Sequence, residues 1–140
     1  MKTKPLVVYF SKGGKTKKVA EAIAQELQCV IVDAAKSTPD LSDVDLLVVG
    51  SGTYGGKPGK KLQEFLDGLE PVKKGKSAIF TTSAGPNPKS LAIMKESLEA
   101  KGYEVVSTFD CRGQFLFGSR GHPNEVDLKD AKAFANDIKK

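Results

Sequence analysis

The chain has 140 residues, the size of one domain with room for a substantial core, and it is read as a single domain over residues 1–140. Hydrophobic residues make up 39% and charged residues 28%, and no apolar run is long enough to span a bilayer, so no membrane association is expected. The net charge of +5 would suit a polyanion. However, the lysines are spread along the chain, tryptophan is absent, and no basic run alternates with aromatics, so no nucleic-acid partner is expected either.

The elements follow in chain order. Leu6 to Phe10 is a short apolar strand, too short for the core of a signal peptide, and Ser11-Lys12-Gly13-Gly14 closes it without a small-residue cleavage site. A cytoplasmic location is expected on that basis. Val19, Ala20, Ile23, Ala24 and Leu27 then fall on one helical face. Cys29 to Val32 is a second strand. The crossover from Ala34 to Val44 is short and contains Pro39, and one or two helical turns are predicted after Thr38-Pro39. Leu46 to Val49 is a third strand; like the second, it is continuously apolar, as strands covered on both faces are. Leu62, Phe65, Leu66 and Leu69 mark a second helix, with Pro58 suited to its first turn. Ala78 to Thr82 is a fourth strand. Leu91, Met94 and Leu98 form a third helical stripe stopped by Gly102. Val105 to Phe109 is the fifth strand, and the glycine-rich stretch from Arg112 to Asn124 either interrupts or extends it. Leu128, Ala131, Phe134, Ala135 and Ile138 form the last helix, with Asp127 as its N-cap.

Alternating strands and helices predict an α/β fold: a doubly wound, five-stranded parallel sheet of order 2-1-3-4-5 with helices on both faces. Ligands of such sheets sit beyond the carboxyl ends of the strands, so the segments after each strand carry the functional reading. After the first strand, Ser11, Lys12, Gly13, Gly14, Lys15 and Thr16 lead into a helix, and glycines, hydroxyls and a helix N-terminus suit a phosphate. A plain glycine turn would use the same residues. Gly14-Lys15-Thr16 has the ending of a Walker A loop, but the place of that motif's first glycine is held by Tyr9, and the G-x-G-x-x-G fingerprint is absent too. After the third strand comes Gly50-Ser51-Gly52-Thr53-Tyr54-Gly55-Gly56-Lys57-Pro58, in which an aromatic among glycines could stack on a planar ligand. After the fourth comes Ser83-Ala84-Gly85-Pro86-Asn87-Pro88. Three consecutive small-residue loops at one sheet edge point to a shared ligand. Cys29 and Cys111 form no C-x-x-C pair and read as reduced, half-buried thiols; with the single His122, placed beside Pro123 in a surface loop, no metal site is expected.

Ser11-Lys12-Gly13-Gly14-Lys15-Thr16-Lys17-Lys18-Val19-Ala20 resembles the FMN phosphate loop of the flavodoxin family, whose common form is Ser/Thr-x-Thr-Gly-Asn-Thr-x-x-Val/Ala-Ala. Ser11, Gly14 and Thr16 match, whereas Gly13 replaces the middle hydroxyl and Lys15 the asparagine. Gly50 through Pro58 resembles the family's second flavin loop, which lines the isoalloxazine, and Asp40 to Asp45 fits the family style. The third loop departs from long-chain flavodoxins, since Ser83 to Asn87 offers no second stacking aromatic.

The resemblance implies FMN as cofactor. Ser11, Lys12, Gly13, Gly14, Lys15 and Thr16 would lie at its phosphate, Thr53, Tyr54, Gly55 and Gly56 along the ring, and Ser83, Ala84, Gly85 and Asn87 at the pyrimidine side. It implies an electron carrier between redox partners, with no residue acting as general acid or base. Two other readings share the fold: an NAD(P)H-dependent flavin or quinone reductase, and an interaction module that has lost its flavin. Well-known flavodoxins are acidic, and this chain is not. Lys12, Lys15, Lys57, Lys60 and Lys61 flank the loops, so an acidic docking surface is expected on its partners, and a flavin more easily reduced in full than in acidic members.

Overall fold

The computed structural model describes residues 4–11, 14–54, 57–83, 89–112 and 125–138. Strands β1 (Pro5–Phe10), β2 (Ile31–Asp33), β3 (Leu46–Tyr54), β4 (Lys57–Pro58), β5 (Gly75–Ser83) and β6 (Tyr103–Arg112) alternate with helices α1 (Lys15–Leu27), α2 (Lys60–Asp67), α3 (Lys89–Glu99) and α4 (Glu125–Ile138). The main sheet has the order β2-β1-β3-β5-β6, all neighbours parallel, and β4 pairs with β3 alone, antiparallel. Apart from the two-residue β4, this is the order expected from the sequence.

The two-residue period of the strands divides the core between the faces. Val7, Tyr9, Val48, Ala78 and Phe80 pack with Val19, Ile23, Ala131 and Ala135 of α1 and α4. Leu6, Val8, Leu47, Val49 and Ile79 pack on the other face with Leu62, Leu66, Met94 and Leu98 of α2 and α3. The Phe109 and Phe134 rings stack at 5.5 Å, tying α4 to the edge strand. No helix among the described residues is long and apolar enough to cross a membrane.

Several expectations need correction. The crossover between β2 and β3 holds no helix. Its backbone is instead turned by carboxylates, as the Ala35 N–H donates to Asp33 Oδ1 (2.9 Å) and the Ser42 N–H to Asp40 Oδ1 (3.0 Å). Such turns compete with helix at this length. The strand β2 is only half-buried, as befits an edge, and Val30 before it is exposed. Both β3 and β6 run beyond their apolar stretches. The segment Gly50 to Tyr54, read as loop, lies inside β3, where Gly50 is required because a Cβ there would stand 2.0 Å from the Phe80 ring. Pro58 belongs to β4, and Gly59 caps α2. The last helix begins at Glu125, so Asp127 lies in its first turn instead of at its cap; carboxylates are favoured throughout that turn. The stretch from Gly113 to Asn124, with His122, lies outside the described residues, and Arg112 ends β6. Cys29 is free and half-buried, and burial pushes its thiol pKa up; Cys111 stands in β6.

The turn after α3 depends on Gly102. Its φ is +93°, and a Cβ would lie 1.9 Å from the Val72 carbonyl oxygen. Gly102→Ala is expected to lower the unfolding free energy by about 2 kcal/mol or more, from strain and collision together. Gly68→Ala, where the nearest atom would be 3.4 Å away, is the control and should change little. Urea unfolding followed by circular dichroism measures both.

Candidate functional site

The parallel register brings the carboxyl ends of the strands into line. Phe10 pairs with Ser51, Ser51 with Thr81, and Thr81 with Asp110. The segments after β1, β3 and β5 therefore leave one sheet edge. Since β2 and β3 lie on opposite sides of β1, the chain changes direction there, and sheets of this kind have their ligand crevice at such a point, here the β1 and β3 ends.

At that crevice the Gly14 N–H donates to Ser11 Oγ (2.9 Å). Gly14 takes the left-handed conformation, φ +86°, and caps α1. The first helical bond runs from the Lys18 N–H to the Gly14 carbonyl (3.2 Å), so the N–H groups of Lys15, Thr16 and Lys17 have no acceptor within the helix. Among the described residues no side chain caps this end, and its first turn holds no acidic residue. Main-chain N–H groups without an intrahelical acceptor and the positive end of the helix dipole together favour an anion.

Thr16 plays a different part. The residue is 2% exposed, and its Oγ1 lies 2.8 Å from Thr82 Oγ1 of β5. The hydroxyl thus holds α1 to the sheet. Ser51 is equally committed: its Oγ accepts from the Gly59 N–H (2.7 Å) and donates to the Gly52 carbonyl (2.8 Å). Thr81 Oγ1 donates to the Ser51 carbonyl (2.7 Å). Buried hydroxyls thereby connect the start of α1, the β3–β4 hairpin and the end of β5. The sequence reading passed over Thr82 and Thr81, although two hydroxyl residues ending an apolar strand were the available signal.

The fold brings the backbones of Ser11, Gly14, Lys15, Thr16, Thr53, Tyr54 and Ser83 to this edge. The Thr53–Tyr54 end of β3 pairs with Pro58–Lys57, forming a hairpin that projects past the last β3–β5 pair, Gly52 with Thr82. Lys12, Gly13, Gly55, Gly56, Ala84, Gly85 and Asn87 lie outside the described residues. A cavity of about 940 Å³ opens at the opposite edge, lined by Leu41, Phe65, Leu69 and Tyr103 among others. It lies at the opposite edge from the ends of β1, β3 and β5, so position in the fold, and not size, selects the candidate site.

The flavodoxin domain family matches residues 6–115. The chain belongs to that family. An uncharacterized protein of Methanocaldococcus jannaschii is 38% identical, with 98% of this chain and 99% of that one covered. Among solved structures, a flavodoxin from the domain Archaea superposes with a TM-score of 0.78 at 23% identity, covering 98% of this chain and 96% of that one. A flavoprotein in complex with FMN from Lactobacillus acidophilus gives a TM-score of 0.60 at 26% identity over 77% of this chain and 93% of that one. In this flavodoxin-domain protein, the matched segment runs from Leu6 in β1 through β6 and contains every sequence-expected site residue.

The Thr16–Thr82 pair is testable directly. Thr16→Val and Thr82→Val should each cost about 1–3 kcal/mol, because each leaves a buried hydroxyl unpaired. The double variant should cost less than the two losses added. Urea unfolding of the four proteins measures the coupling; additive losses would mean that the hydroxyls do not act as a pair.

Proposed function

We propose that the protein binds one FMN at the carboxyl edge and carries electrons between redox proteins. The observation that supports this most strongly is the start of α1: a glycine-capped helix end with no carboxylate in its first turn, set at the crevice where β1 and β3 diverge. The residues present suit a phosphate monoester. In this reading the N–H groups of Lys15, Thr16 and Lys17 hold the phosphate. The Ser11–Gly14 bond fixes the turn, and Thr16 and Thr82 fix the helix that presents those donors. Lys12 and Gly13 would complete the loop.

FMN, when bound, supplies one- and two-electron chemistry that no side chain offers. The chain's own work is to bind, orient and shield. Tyr54, at the tip of β3, is placed by this reading against the ring, with Thr53, Gly55 and Gly56 beside it. Ser83, Ala84, Gly85 and Asn87 would close the other side. No carboxylate, imidazole or thiol is assigned a proton transfer, since electron carriage requires none.

FMN should bind more tightly than riboflavin, on the order of tenfold or more, because the phosphate adds contacts at a helix N-terminus. Fluorescence quenching on titration measures both, and equal affinities would remove the phosphate site from the account. Tyr54→Ala should weaken FMN by on the order of 1 kcal/mol and shift the flavin spectrum, as expected on loss of an aromatic contact. Stopped-flow mixing with NADPH separates carrier from reductase: a carrier's flavin stays oxidised, whereas rapid bleaching marks an enzyme.

A further inference from the structure

Beside the β3–β4 hairpin, the same edge carries a groove of about 600 Å³ that the flavin reading leaves unused. Phe10, Pro58, Gly59 and Ile93 give it an apolar floor, and Lys57, Lys60 and Lys61 stand at its rim. All three lysines are exposed. Lys61 lies 3.7 Å from Glu64, but a pair between two exposed side chains contributes little and is easily broken. Among the described residues, Lys57 and Lys60 have no ion-pair partner, and no carboxylate lines the groove.

The floor is held in place. Gly59 is fixed by its bond to Ser51 Oγ, and a Cβ there would stand 2.2 Å from the Phe10 ring, so ring and backbone are in direct contact. An apolar centre within a charged rim is the anatomy of a protein interface. A nucleic acid fits less well, because Phe10 is partly covered and its ring packs on Gly59, which reduces the aromatic surface open to base stacking.

We infer that this groove is the docking surface for a redox protein whose own surface presents carboxylates around a protruding apolar side chain. The inference rests on the FMN reading, because a partner seated here lies beside the hairpin assigned to the ring. The lysines steer the acidic partner in, and burial of its apolar side chain between Pro58 and Ile93 sets how long it stays.

The test uses the FMN-loaded protein and a chemically reduced, acidic plant-type ferredoxin as electron donor, mixed by stopped flow. Lys57→Glu/Lys60→Glu/Lys61→Glu should slow flavin reduction about tenfold or more at low salt, and added salt should shrink the difference. Lys36→Glu/Lys73→Glu/Lys132→Glu makes the same change in net charge on exposed lysines away from the groove, and should slow it far less. Ile93→Ser, which alters no charge, should weaken the complex. Equal slowing by the two triple variants would overturn the proposal, since overall charge would then explain it.

Failure of the FMN reading shows separately, as no flavin absorbance after FMN is added. Docking is then read from amide shifts of the isotope-labelled chain with oxidised ferredoxin. Shifts centred on Gly59, Lys60 and Ile93 support the groove. Shifts centred elsewhere overturn it, as does an equally strong response to a short single-stranded oligonucleotide.

Discussion

A slip of β3 by one residue against β1 or β5 would send Val48 into the layer of α2 and α3 and Leu47 into that of α1 and α4, reversing both cores at once. Burial on two faces therefore pins the register, and the register sets the site. With Phe10, Ser51 and Thr81 in one row, the segments that follow have nowhere to emerge except one edge. The ends of β1, β3 and β5 become neighbours through core packing.

The last row of the sheet converts this alignment into a rigid frame. Apolar side chains would have served the core equally well at Thr16, Ser51, Thr81 and Thr82, all of which are buried. Hydroxyls there cost desolvation unless paired, and the bonds described for them join the row. The pairing fixes the first turn of α1 relative to β5, and the start of α2 relative to β3. A helix end used as an anion site gains affinity when its donors are already in place, since less ordering remains to be done on binding.

Much of this was legible in the residues. Alternation of apolar runs with helical stripes yields the strand order, because parallel strands need crossovers and crossovers of this length are helices. Glycine, hydroxyl and lysine residues after the first strand mark the proposed anion site. What escaped was set by neighbours. The end of β3 reads as loop because Gly50, Ser51 and Gly52 have poor strand propensity, yet pairing with Phe80, Thr81 and Thr82 carries the strand through them. The crossover from Ala34 to Val44 reads as helix after Pro39, but Asp33 and Asp40 satisfy its backbone locally. The role of Thr82 depends on a contact spanning 66 positions in the chain, which no local pattern encodes.

The central claim is that main-chain N–H groups at the start of α1 hold a phosphate. Phosphorus NMR of the FMN-loaded protein tests it most directly. A phosphate monoester has its second ionisation near pH 6 in water, giving a resonance that moves across about pH 5 to 8. Held by the N–H groups of Lys15, Thr16 and Lys17, the phosphate should remain dianionic and its resonance should stay fixed through that range. A resonance that titrates like that of free FMN would place the phosphate in solvent and contradict the account.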